Sequence, residues 1–198
     1  MRFLRLLPFL LLLPAGSLPI TPGVVVPEVD NPTVYDPPPA QKLKTYFEAL
    51  ARSGSAEEAA RFEGEIYLIM TRNPSPTITF LMESATMAIE ADDKETARMA
   101  LTRVTELDPT YAEGLARLAT VVYDDGDLVQ AEALLKRALR LEPRHFAAWT
   151  GLGLVREDLG DFRGAEEAYR EALFYNPYLD GAKRGLIRME ARLDGLSL

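Results

Sequence analysis

The sequence predicts an all-α protein: a short solenoid of antiparallel helix hairpins, closed at its C-terminal end by one capping helix. Three observations predict it. Pro109, Pro143 and Pro177 are evenly spaced, and Ala97, Ala131 and Ala165 keep the same step, as do Asp93, Asp127 and Asp161. A fixed step of about 34 residues marks one supersecondary unit copied along a chain. Inside each copy the apolar residues recur at i, i+3, i+4 and i+7, the spacing of a helix with one buried face. With 198 residues, 47% of them hydrophobic, the chain can bury one continuous core.

Met1 to Ser17 reads as a secretory signal peptide, cleaved on export. Arg2 and Arg5 form a basic start, Leu6 to Leu13 an apolar run, and Ala15-Gly16-Ser17 a small-residue cleavage site. The apolar run is shorter than the roughly 20 residues that a spanning helix needs, so no stable membrane span is expected after processing. Residues 18–40 hold so many prolines, among them Pro37-Pro38-Pro39, that an extended leader is expected. Val24-Val25-Val26 or Val34-Tyr35 could dock from it onto the repeats.

Residues 41–77 predict a divergent first hairpin. Stepping back by one period places Phe47, Leu50 and Ala51 in its first helix and Tyr67 and Met70 in its second. Glu63, however, stands where the other copies carry a close-packing alanine. Ser55 and Glu58 form a capping box at the start of the second helix. The next copy, 78–111, carries Leu81, Ala85, Ala97, Leu101 and Val104, with Asp92-Asp93 at its turn and Ser84 in place of a leucine.

In the copy 112–145, the first helix buries Leu115, Leu118, Ala119 and Val122. Gly126 ends it and Asp127 caps the second helix, whose inner face is Ala131, Leu134, Leu135, Ala138 and Leu141. The copy 146–179 repeats this with Trp149, Leu152, Gly153, Gly160, Asp161, Ala165, Tyr169 and Ala172. Residues 180–198 read as the capping helix and tail, with Leu186 and Ile187 facing the core and Lys183, Arg184, Arg188 and Arg192 facing solvent.

This order of large residue, leucine, small residue, then alanine, aromatic or leucine, alanine and proline resembles the tetratricopeptide repeat. The whole chain from Lys44 onward is similar to signal-bearing tetratricopeptide repeat proteins of proteobacteria, most of all in EPRHFAAWTGLGLVREDLG. The resemblance implies an exported α-helical protein, a right-handed solenoid in the periplasm of a Gram-negative bacterium, and it does not imply an enzymatic activity.

The remaining chemistry is sparse. A net charge of −8 and a pI near 4.8 argue against nucleic acid and anionic membrane as partners. The chain has no cysteine, which removes disulfides, thiolate metal sites and cysteine catalysis. His145, the single histidine, is expected in a loop or packing role, since a metal site or triad needs further partners. Asp124-Asp125-Gly126-Asp127 lacks the closing glutamate of a calcium loop and reads as a turn. Gly151-Leu152-Gly153 falls within a helix with no preceding strand, which fails a nucleotide-loop reading. No cofactor, metal site or catalytic residue is expected.

What the resemblance does offer is a groove lined by the first helix of each copy. Carried over by position, its candidates are Met82, Thr86, Ile89 and Glu90, then Glu113, Ala116, Arg117, Thr120, Tyr123 and Asp124. Ala147, Thr150, Leu154, Glu157 and Asp158 follow, and the capping helix adds Arg184 and Arg188. Chaperone-binding members hold a C-terminal carboxylate with lysines, asparagines and an arginine; here Arg117 alone resembles part of that set. A small apolar floor, an acidic rim and a basic C-terminal end suit an extended or helical peptide with apolar anchors and some positive charge. The expected function is therefore a non-catalytic module binding a protein or peptide segment. A self-associating envelope scaffold is the alternative, and an envelope hydrolase a distant third.

Overall fold

Why a helix starts and stops where it does is visible in the turn chemistry that recurs from one repeat to the next. The computed structural model describes residues 38–195, and these form nine helices and no strand: α1 (Pro39–Arg52), α2 (Ala56–Met70), α3 (Pro76–Glu90), α4 (Lys94–Leu107), α5 (Ala112–Asp124), α6 (Leu128–Leu141), α7 (Phe146–Asp158), α8 (Phe162–Tyr175) and α9 (Asp180–Leu193). Asp93, Asp127 and Asp161 each accept a backbone N–H from the residue three ahead and so start α4, α6 and α8. Each follows a residue in the left-handed region: Asp92 at φ 56°, Gly126 at 86° and Gly160 at 79°. Two of these are glycines and the third is an aspartate, which holds that backbone at a cost a glycine avoids.

At the other end of each hairpin, Asp108, Glu142 and Asn176 accept from the backbone N–H two residues on, at 3.0, 3.1 and 3.1 Å. These side chains turn the chain into α5, α7 and α9. The helices pack as hairpins α3–α4, α5–α6 and α7–α8, stacked in order, with α9 against α8. Leu101, Leu115, Ala119, Val122, Ala131, Ala138 and Leu152 form one continuous seam between them.

Tyr169 shows how tight the last seam is. Its ring is fully buried among Ala165, Ala172, Ala182 and Met189. A methyl group built on Gly153 would fall 2.5 Å from that ring, and one on Gly185 would strike it as well. Both glycines are therefore required for packing, in α7 and α9 respectively.

Two expectations need correction. Ile187 does not face the core: Ala182, Gly185 and Met189 are the buried residues of α9, while Ile187 is 63% exposed because among the described residues no helix follows to cover it. The hairpin α1–α2, further, does not stack on α3 as a first repeat. Its own core is Leu43, Phe47, Leu50, Ala59 and Ile66, and Tyr67 and Ala51 are exposed, so the register of the repeats does not hold in it.

Instead the hairpin lies along the edge formed by the loops that join the repeats. Phe47 packs edge-on between Phe146 and Tyr175, with ring centroids 6.3 and 6.2 Å away. Arg144 sits 4.9 Å over the same ring. Tyr178 donates its hydroxyl to the Ser53 carbonyl at 2.6 Å, Tyr111 donates to the Thr71 carbonyl at 2.7 Å, and Asn73 donates to Asp108 at 3.0 Å. One hairpin thereby touches the loops before α5, α7 and α9.

Candidate functional site

The site is built by the first helices of the repeats, α5 and α7 above all. Between them lies a cavity of about 330 Å³. Small residues make it possible: Ala116, Ala119 and Thr120 on α5 face Ala147, Ala148 and Gly151 on α7, and Leu135, Leu154 and Val155 complete an apolar wall. A methyl group on Gly151 would meet Leu135 at 3.3 Å, so the glycine also keeps α7 close to α6.

One end of the cavity is a buried polar network. Glu113 accepts from Arg117 Nε at 2.8 Å and is bonded through its other oxygen to His145 Nε2 at 3.1 Å. His145 is buried at the N-cap of α7, where Nδ1 accepts the Ala148 N–H at 3.3 Å. With Nδ1 accepting, the ring proton belongs on Nε2, which donates to the carboxylate. Burial alone pushes the Glu113 carboxyl up, yet the bonds from His145 and Arg117 outweigh it and hold it below the usual glutamate range. Arg117 is engaged on every side: Nη1 donates to Thr86 at 2.8 Å, and Nη2 to the hydroxyl of Tyr67 on α2. The edge hairpin thus reaches the head of the cavity.

The other end is acidic. Tyr123 donates its hydroxyl to Asp158 at 2.6 Å, and that bond, with burial second, pushes its phenol up to about 12. Asp124 is exposed beside it. Glu157 is taken up by Arg188, at 2.9 and 2.8 Å, and by Tyr169 at 2.9 Å; the Arg188 bond lowers its carboxyl despite partial burial.

Of the candidates read from the sequence, Glu113, Ala116, Arg117, Thr120, Tyr123, Asp124, Ala147 and Leu154 line this one cavity. The others stand apart from it. Met82 is buried in the core between hairpins and cannot face a groove. Glu113, although it lines the cavity, is buried, a structural ion pair rather than an open acid. Thr86 and Thr150 spend their hydroxyls on the backbone carbonyls of Met82 and Phe146. Ile89, Glu90 and Arg184 are exposed, and Arg188 is paired.

Sequence reading missed the contribution of His145, Ala148, Gly151 and Val155. One signal was present: His145 occupies the N-cap position held by Tyr111 and Leu179 in the copies on either side, so a titratable group there stands out. Among the described residues no helix is long and apolar enough to cross a membrane.

Comparison with known proteins agrees with this geometry. Residues 116–180, running from α5 into α9, match the tetratricopeptide repeat family. The Sgt2 TPR domain from Aspergillus fumigatus is similar in structure, with a TM-score of 0.59 and 26% identity over 61% of this chain and 82% of that one. The first TPR of Spaghetti (RPAP3), bound to the HSP90 peptide SRMEEVD, has a TM-score of 0.59 at 18% identity, over 63% and 98% of the two chains. The MamA protein, at 20% identity and a TM-score of 0.56, covers 79% of this chain and 85% of its own. No curated protein sequence matches the chain. The helical array is a tetratricopeptide repeat solenoid.

Proposed function

We propose that this tetratricopeptide repeat array is an exported protein-interaction module, holding a peptide segment of its partner against α5 and α7 without catalysis. One observation carries the reading: the apolar, small-walled cavity of about 330 Å³ between those helices, large enough for one bulky apolar side chain. The Spaghetti (RPAP3) repeat of like fold is bound to a peptide, which supports the ligand class. The recognition differs, because the nitrogens of Arg117 are already engaged by Glu113, Thr86 and Tyr67. A C-terminal carboxylate has no open cation there. Asp124, and Asp158 bonded to Tyr123, instead favour a ligand with an apolar anchor flanked by lysine or arginine.

Selection of random displayed peptides on the immobilised protein tests this. The expected peptides share an apolar residue beside basic ones, and Leu154→Arg lowers their affinity about 10-fold or more. Peptides of another composition, or retention of them by the variant, contradict the proposal. The exported location rests on Arg2, Arg5, the run Leu6 to Leu13 and Ala15-Gly16-Ser17, which lie outside the described residues, as do the leader segments Val24-Val25-Val26 and Val34-Tyr35. N-terminal sequencing of the protein recovered from the periplasmic fraction is expected to show a new start near residue 18. An intact Met1 in the cytosolic fraction would refute export.

A further inference from the structure

The repeat period allows each helix to be compared with its own equivalents, and both ends of the solenoid then stand out. Phe80 and Met87 of α3 correspond to Gly114 and Val121 of α5, to Ala148 and Val155 of α7, and to Ala182 and Met189 of α9. In those three helices both positions are buried, and a methyl group on Gly114 would strike Val104 of the preceding hairpin. These are the positions that receive the preceding hairpin. In α3, Phe80 is 66% and Met87 70% exposed, because α1–α2 has gone to the edge.

The C-terminal end repeats the pattern. Ile187 corresponds to Ala85, Ala119 and Gly153, all buried, and Gly153 contacts Tyr169 of the helix that follows. After α9 no helix follows among the described residues. A solenoid that ends in water needs polar outer faces, yet here the terminal positions carry apolar side chains larger than most of their buried equivalents.

The two ends also match in charge. On α3, Glu83 and Glu90 flank Met87 on the exposed side; on α9, Lys183 and Arg184 precede Ile187. An antiparallel crossing of α9 over α3 sets Ile187 beside Met87 and Arg184 beside Glu90. Each end then supplies the helix that the other lacks.

We propose that the chain associates head to tail with further copies of itself, the α9 end of one copy seated on the α3 end of the next. Such a contact is heterologous, so it extends into open chains or closes into rings rather than stopping at a symmetric dimer.

Multi-angle light scattering of the purified protein over a range of concentrations tests the proposal. The expected mass rises past that of a dimer and falls as salt is added. Phe80→Glu and Ile187→Glu are each expected to remain monomeric while keeping the wild-type circular dichroism, since both positions are solvent-facing. Mixed together they are expected to form a complex of two chains and no larger, because each contributes one intact end. Monomers at every concentration, association that either single variant leaves in place, or a mixture that stays monomeric would each overturn the proposal.

Discussion

The central hairpins and the N-terminal hairpin are built from the same kind of amphipathic helix but are held by different means. From α5 to α8 the seam is made of alanine, glycine, leucine and valine at fixed intervals, so that backbones approach closely and each contact is copied one repeat later. The α1–α2 hairpin has Glu63 where that pattern needs alanine, and it is held by aromatic rings and hydroxyls against three loops. The first arrangement couples every repeat to its neighbour. The second is a clasp, and its loss is expected to leave the solenoid standing.

That contrast can be broken most strongly at the seam. Leu115→Ala is expected to cost about 2–5 kcal/mol, by burial lost and cavity left, and to lower the urea midpoint of the whole array in one transition. Phe47→Leu removes the two ring pairs at the clasp, for about 1–3 kcal/mol. Hydrogen exchange is expected to show faster amides in α1 and α2 while α5 to α8 keep their protection. Equal loss of protection in both regions would remove the distinction.

Glu113→Gln sharpens the comparison in the polar network, with an expected cost of about 1–3 kcal/mol from weakened bonds to Arg117 and His145. It also changes the response to acid. The carboxyl is held below its ordinary value of 4.5 in the fold. Its stabilisation is therefore complete above that pH and fades as pH falls through the lower folded value. Denaturation midpoints followed below pH 4.5 should accordingly decline less steeply in the variant than in the parent. The smallest effect is a gain: Asp92→Gly relieves the left-handed backbone at φ 56°, and thermal melts should show stabilisation of up to about 1 kcal/mol.

How much of this was legible in the sequence follows from the same contrast. Contacts inherited with the period were readable, and so the seam residues Leu115, Ala119, Ala131 and Ala138 and the caps Asp93, Asp127 and Asp161 stand as the spacing implies. Contacts that occur once were not. Phe47 meets Phe146 and Tyr175 across several intervening helices, and no repeat position announces either partner. Met82 is a groove position by its place in the repeat, but its side chain is buried in the core between hairpins. Ile187 reads as core because its equivalents are covered by a following helix, and among the described residues none follows α9.

The placement of the α1–α2 hairpin decides the most, since it both reaches Arg117 at the head of the cavity and leaves Phe80 and Met87 uncovered. Nuclear Overhauser contacts of the Phe47 ring test it directly. They are expected to the rings of Phe146 and Tyr175. Contacts from α2 to Phe80 and Met87 instead would show a stacked first repeat and contradict the clasp.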